Sequence, residues 1–399
     1  MAEAAPLASP TAPRFGILPP LALYVHIPWC LKKCPYCDFN SHERRGTAAE
    51  LPEARYVDAL IADLEFALPS IWGRRVASIF FGGGTPSLFS AAAIDRALAG
   101  IRARVSVSPD AEITLEANPG TFEQAKFAGF REAGINRLSL GVQSFDAGHL
   151  KALGRVHDER EAHAAADAAL EIFDNVNFDL MYALPGQTPE DARADADAAL
   201  AYRPPHLSFY HLTIEPNTLF HRHPPPLPDD DTAADIGEAI DTALGQAGYV
   251  RYETSAFALP GRECRHNLNY WRFGDYLGIG AGAHSKLSFP DRVLRQVRYK
   301  QPDRYMEQVE HGVPLIEEHE IARDEIGFEF MLNALRLTEG VPAALFAERT
   351  GHSITLVRKG LDEAERRGLL ERDHQHLRPT ALGRRFLNDL QAIFLRVAA

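Results

Sequence analysis

The sequence predicts an α/β protein, a parallel sheet crossed by helices and followed by a smaller, mostly helical domain of winged-helix-like order. Three observations carry this. Short apolar runs recur along residues 21–300, amphipathic stretches long enough to be crossover helices separate them, and beyond Gln301 helical spacing replaces the strand signal and ends in a hairpin-like segment. Residues 1–20 hold Pro6, Pro10, Pro13, Pro19 and Pro20 without a basic start or an apolar core, so they are expected to form a flexible tail, not a signal peptide.

The candidate strands are Leu21–Ile27, Val76–Gly82, Glu112–Ala117, Arg137–Gln143, Val176–Tyr182 and His206–Ile214. Tyr56–Leu68, Ala91–Ala103 and Glu159–Phe173 have helical apolar spacing. Strand–helix repeats of this kind give right-handed crossovers and bring the strand C-terminal ends to one site, in an open doubly wound sheet or a curled one. Pro224-Pro-Pro-Leu-Pro-Asp-Asp-Asp231 is expected to be a surface loop. In the last segment, 301–399, Glu325–Leu337, Pro342–Arg349 and Ile354–Arg367 are expected helices, Gly368–Pro379 a hairpin, and Thr380 the start of a final helix. A winged helix can bind DNA, but the net charge of −12 opposes a nucleic-acid or anionic-membrane surface, and a packing or lid role is expected instead. No apolar run is long enough to span a bilayer, and the composition, 46% hydrophobic and 24% charged, is that of a globular cytoplasmic protein.

Three of the four cysteines, Cys30, Cys34 and Cys37, form a C-x3-C-x2-C loop directly after the first strand. Thiolates so crowded suit an iron–sulfur cube whose fourth iron stays open to a small molecule. A zinc site completed by His42 or His26, or simply buried reduced cysteines, are the alternatives. Disulfides are not expected in a chain of 399 residues that can bury an ample core.

With Tyr36 just before the third cysteine, this loop resembles the signature of the radical S-adenosylmethionine (SAM) superfamily. Phe80–Ser87, Glu112–Pro119, Asn136–Phe145, Asn177–Gln187 and Gly278–Ser285 then follow in the order of its HemN/HemW branch, and the resemblance covers residues 21–395. It implies a six-stranded partial barrel, a [4Fe-4S] cluster on the three cysteines, and SAM contacts at Tyr24, Tyr36, Gly83, Gly84, Thr85, Glu116, Gln143, Arg155 and Asp179. Chemically, Glu116, Gln143 and Arg155 suit the amino and carboxylate groups of SAM, and Asp179 its ribose hydroxyls.

Within the branch, the HemN type is an oxygen-independent coproporphyrinogen III dehydrogenase with a further cysteine two residues after the third; here that position is Phe39. The HemW type is implied to be a heme chaperone serving respiratory acceptor proteins, with a C-x3-C-x2-C-x-F loop and an H-N-x-x-Y-W motif, which stands here as His266-Asn-Leu-Asn-Tyr-Trp271. The resemblance therefore points to a heme chaperone. The porphyrinogen enzyme, or a radical SAM enzyme with another substrate, is the alternative. His266 and Tyr270 offer possible iron ligands and Trp271 a flat apolar face for the porphyrin. His206, His211, His221, His223, His284 and Cys264 remain alternative ligands, and the oligomeric state, a homodimer included, stays open.

Overall fold

The structure, a computed structural model, describes residues 12–43, 51–120 and 124–395. All six expected strands are present: β1 (Leu21–Ile27), β2 (Arg75–Gly83), β3 (Ser106–Ala117), β4 (Arg137–Gln143), β5 (Val176–Tyr182) and β6 (His206–His211) are neighbours in sequence order and all parallel. Helices α1 (Glu53–Ile71), α2 (Ala91–Arg102), α3 (Phe127–Ala133), α4 (Glu159–Ile172) and α5 (Pro189–Tyr202) make the crossovers.

Side chains alternate along these strands with period two. One set, including Leu23, Val25, Ile79, Phe81, Leu115, Leu138, Phe178 and Leu207, belongs to the main apolar core shared with the helices. The other set is polar: Ser78, Glu112, Glu116, Arg137, Ser139, Gln143, Asn177, Asp179, His206 and Ser208. Its members bond to one another across strands, as in Ser139 Oγ to Asp179 (2.7 Å) and His206 Nδ1 with Asn177 Oδ1 (2.6 Å). Laid flat, six strands would spread over roughly 24 Å. Yet side chains from the ends of β2 to β6 and the loop after β1 line one cavity of about 350 Å³, so the sheet curls into a partial barrel with its polar face inside.

The sheet does not stop at six strands. After α6 (Asp230–Gln246), β7 (Val250–Glu253) and β8 (Ala256–Ala258) add antiparallel pairs beyond β6. Then α7 (Arg265–Trp271) leads to β9 (Asp275–Ile279), a seventh parallel strand beside β1, with Tyr24 opposite Gly278. Antiparallel β10 (His284–Ser288), β11 (Val293–Arg298) and, after α8 (Pro302–Glu310), β12 (Leu315–Glu320) extend that side, giving twelve strands. Strand structure thus runs past Gln301, where its signal fades in the sequence: β12 reads Leu-Ile-Glu-Glu-His-Glu, an exposed edge strand.

A second apolar core holds the rest, with α9 (Arg323–Ala334), α10 (Ala344–Thr350) and α11 (Arg358–Arg366) around Phe330, Phe346 and Leu361. The expected hairpin, β14 (Leu370–Arg372) and β15 (His376–Pro379), gains a third strand, β13 (Val341–Pro342), in the order β13-β15-β14. The expected final helix is two short ones, Ala381–Arg385 and Leu387–Ala392, with the Thr380 hydroxyl capping the first. Two loop expectations change in detail. Arg14 N donates to Gly351 O (2.9 Å) and Phe15 packs on the second core, while Pro19 O and Pro20 O accept from Arg74 and Asp275 N, so residues 12–20 are tied down at both ends where a free tail was expected; residues 1–11 lie outside the described ones. The acidic end of the Pro224–Asp231 loop begins α6: Asp229 caps Thr232 N (2.8 Å), and Asp230 and Asp231 occupy the first turn, where acids favour the helix dipole.

A buried ion pair fastens α1 to the antiparallel extension. Asp63 accepts from Arg298 (3.3 Å), from the Tyr305 hydroxyl (2.8 Å) and from Gly280 N (3.1 Å), with both charged side chains fully buried. Truncating one partner strands the other charge. Asp63→Ala should therefore cost about 3–5 kcal/mol, read as a lower denaturant midpoint; a loss below about 1 kcal/mol would place the pair in the class of exposed ones.

Candidate functional site

The cysteine loop has almost no regular structure, and it is held by close backbone approach. At the end of β2, a Cβ on Gly83 (φ +119°) would stand 2.5 Å from the His26 ring, and one on Gly84 2.5 Å from Trp29 O. After β9, a Cβ on Gly280 (φ +105°) would stand 2.4 Å from His26 O, and one on Gly282 2.2 Å from Asn40 Nδ2. Only glycine fits such positions. The freed space lets Asn40 Nδ2 donate to Ala281 O (2.9 Å) and Lys300 O (2.9 Å), while His26 Nε2 meets Asn40 O (3.0 Å).

All three cysteines line the cavity and are partly buried and free of disulfides. Each has a polar neighbour on sulfur. The Thr85 hydroxyl donates to Cys30 Sγ (3.6 Å), Arg155 Nη1 to Cys34 Sγ (3.4 Å), and Ser41 Oγ lies 3.7 Å from Cys37 Sγ. Asn118 joins two of these supports: its Nδ2 donates to Thr85 Oγ1 (3.0 Å) and its Oδ1 accepts from Arg155 Nη2 (2.7 Å).

Eight of the nine expected SAM contacts line the same cavity; the ninth, Tyr24, lies beneath it with its hydroxyl 3.0 Å from His26 Nδ1. Glu116 accepts from Gly83 N (3.1 Å), and burial, followed by the charge of Asp179, pushes its pKa up to about 8. Burial also raises Asp179, although the Ser139 hydroxyl and Asn177 Nδ2 (2.9 Å) donate to it. Gln143 closes β4 with φ +68°, a left-handed conformation that stores strain at the cavity wall. Gly141 keeps that wall low enough for Asn118, Gln143 and Arg155 to meet. Two carboxyl groups whose charge is unfavourable as they stand, one guanidinium and a set of amides can receive a zwitterion carrying both an ammonium and a carboxylate. The volume suits a ligand of nucleoside size.

The donor set fits a cluster better than a single ion. His26 has both ring nitrogens engaged, with Tyr24 and Asn40, and His42 turns its Nε2 to Asn40 Oδ1 and Lys300 O (3.2 Å each); neither histidine lines the cysteine cavity. Among the described residues, no group of three or more His, Cys, Asp or Glu side chains converges on one metal-ion position. Burial pushes the Cys30 thiol up to about 11 and raises Cys37 as well, so their thiolates need a bound metal centre to form at neutral pH.

The three expected heme contacts lie elsewhere. α7 packs across the end of the barrel where the strands begin, some five residues or roughly 16 Å of β2 away from Gly83. His266 is 2% exposed; its Nδ1 meets Ser78 Oγ (3.0 Å), its backbone N donates to Glu112 (3.2 Å), and its ring lies between Phe80 and Tyr270. Trp271 joins the second core under the Arg336 guanidinium (4.3 Å to the ring centre). An iron ligand at His266 would require this helix to leave the barrel. Among the alternatives, Cys264 donates to Glu112 (3.5 Å) and His206 is buried against Tyr252, whereas His221, His223 and His284 are exposed away from the cavity lining; His211 is exposed and lines it.

Comparison with known proteins follows the same geography. Residues 24–199 match the radical SAM superfamily, and residues 321–386 match the HemN C-terminal domain. The chain is 49% identical over 380 residues to the heme chaperone HemW of Escherichia coli, covering 95% of this chain and 99% of that one. It is 46% identical to the HemW of Haemophilus influenzae over 95% and 98% of the two chains. The chain belongs to the HemW family. Within the HemW family's wider fold, the solved coproporphyrinogen III oxidase HemN of Escherichia coli superposes with a TM-score of 0.79 at 26% identity, over 94% of this chain and 90% of that one. The superfamily implies a [4Fe-4S] cluster and SAM, and the cavity just described has the donors for both.

Sequence reasoning missed several residues that line the cavity: Asn118, Ser139, Gly141, Met181, Tyr210 and Glu215. Ser139 and Gly141 were accessible from the period-two series ending at Gln143, and Asn118 from its place just past Glu116.

Serine in place of Cys30, Cys34 or Cys37 should cut the iron content of reconstituted protein severalfold, while Cys264→Ser leaves it unchanged; equal loss in all four would refute the ligand set. Because Glu116 holds its proton more tightly in the fold than when unfolded, it costs stability progressively as pH rises from 4.5 through about 8. Glu116→Gln should therefore melt several degrees higher than the native metal-free chain at pH 9, and alike at pH 4. Coincident melting curves at both pH values would contradict a buried, proton-holding Glu116.

Proposed function

We propose that this protein binds heme and hands it to acceptor proteins, with respiratory heme proteins as the expected class, and that it works in the cytoplasm. The observation that carries this is the 49% identity to a heme chaperone over 95% of the chain, which leaves almost no part of that relative without a counterpart. Among the described residues, no helix is long and apolar enough to cross a membrane.

The cluster assignment is Cys30, Cys34 and Cys37, and the SAM assignment is Tyr24, Tyr36, Gly83, Gly84, Thr85, Glu116, Gln143, Arg155 and Asp179. When bound, such a cluster supplies an electron to SAM. The chain's own residues position the ligand: Glu116 and Asp179 offer acceptors deep in the barrel, Arg155 a cation beside Cys34, and the Gly83-Gly84 backbone a close approach.

The HemN-like reading, a coproporphyrinogen III dehydrogenase, is favoured by the superposition with that enzyme. Against it stands Phe39, 62% exposed on the cavity rim at the position where the resemblance expects a further cysteine.

Anaerobic titration of cluster-reconstituted protein with heme should give saturable binding near one heme per chain, with no consumption of coproporphyrinogen III in the presence of SAM and a reductant. Turnover of the porphyrinogen without heme retention would transfer the assignment to the enzyme.

A further inference from the structure

The barrel has one closed end and one open one, and the histidines divide accordingly. At the closed end the His266 imidazole is enclosed: Ser78 engages its Nδ1, Phe80 and Tyr270 flank its ring, and its Nε2 is buried without a hydrogen-bond partner, out of reach of the cavity lining. At the open end β6 runs out of the sheet on Tyr210 and His211, both exposed, and His211 lines the cavity mouth. Its ring makes no hydrogen bond to the described residues; it lies beside the Tyr182 ring, at 5.2 Å between centres, and within reach of the Asp230 charge. Partial burial lowers its pKa, which keeps the imidazole neutral at pH 7 and its lone pair available.

The surroundings of that lone pair suit a flat apolar macrocycle with an acidic edge. Phe39, 62% exposed, and Tyr210, 41% exposed, stand on the same cavity lining, with Met181 and Leu212 beneath and Lys32 at the rim. Aromatic faces pack on porphyrin rings and an ammonium pairs with carboxylates. Phe39 and Tyr210 present exposed aromatic surface on one cavity lining, where a flat ligand can cover both.

We propose that His211 is the axial ligand of a heme iron seated across the cavity mouth, with Phe39 and Tyr210 against the porphyrin face and Lys32 near a propionate. This rests on the heme-chaperone reading above and names its binding site. The site places heme at the same mouth as the cysteine cavity, so the two ligand sets are neighbours.

The test is absorbance titration of the full, cluster-reconstituted chain with ferric heme, comparing native protein with His211→Ala, Phe39→Ala and His266→Ala, with iron content checked for each. His211→Ala should weaken binding at least tenfold and change the Soret band, and added imidazole should restore the native band. Phe39→Ala should weaken binding severalfold with the native band kept. His266→Ala should keep the native band and affinity while melting earlier, because only its packing is lost. Native affinity and spectrum in His211→Ala, or loss of heme in a His266→Ala chain that retains its iron, would overturn the assignment and leave the chaperone reading standing. No saturable binding by the native chain would remove both.

Discussion

Everything at the site depends on holding an irregular, three-cysteine loop rigidly at the end of a sheet. The loop has no ladder of its own beyond a two-residue bridge, Trp29–Cys30 with His42–Glu43, so its position must come from contact with its neighbours. Glycines on the two strands flanking β1 supply that contact. Gly83 and Gly84 admit His26 and the Trp29 backbone from one side, and Gly280 and Gly282 admit the His26 carbonyl and Asn40 from the other. A methyl group at any of them would push the loop away from its thiol supports. The Gly278–Ser285 segment, whose position far along the chain gives no hint of chemistry, thus belongs to the cysteine loop mechanically. The buried Asp63–Arg298 pair has the same target, since Asp63 also accepts from Gly280 N.

The barrel interior carries the second constraint. Most α/β barrels fill their centre with branched apolar side chains; here the inward positions are Ser, Thr, Asn, Asp, Glu, Arg and His, bonded across strands. Such a lining is tolerable only when nearly every polar atom finds a partner. Toward the mouth, burial holds Glu116 and Asp179 against their charged state although each accepts hydrogen bonds. The instability is concentrated where a ligand carrying cations and hydroxyls can relieve it, as is common at binding sites.

How much of this could be seen in the sequence follows from which signals are local. β1 to β6 were legible because their outward residues, such as Leu23, Phe81 and Leu138, form apolar runs bounded by turn residues. β9 was not, since Asp275 and Gly278 break its apolar pattern and its stability comes from Lys286 and Ser288, which bond Asp275 from the next strand. β12 reads as a charged segment and is a strand only through its pairing with β11. The cysteine triplet announced itself by spacing, and Glu116, Gln143 and Asp179 by their places at strand ends. Tyr210 gave no such signal, because its role comes from residues that are remote in sequence. The His266–Trp271 segment shows the opposite case. A histidine, a tyrosine and a tryptophan on one short helix suggest an open ligand face, but which face of a helix is open depends on what lies beneath it, and beneath this one lies the barrel floor.

That floor imposes an order of loading. With α7 packed across the end where the strands begin, molecules stacked in the cavity above that floor obey last in, first out. Whatever lies against the three thiols must be installed before anything that rests above it, and cannot be exchanged until the upper layer has left. A carrier built this way releases its outermost cargo without disturbing what is bound below.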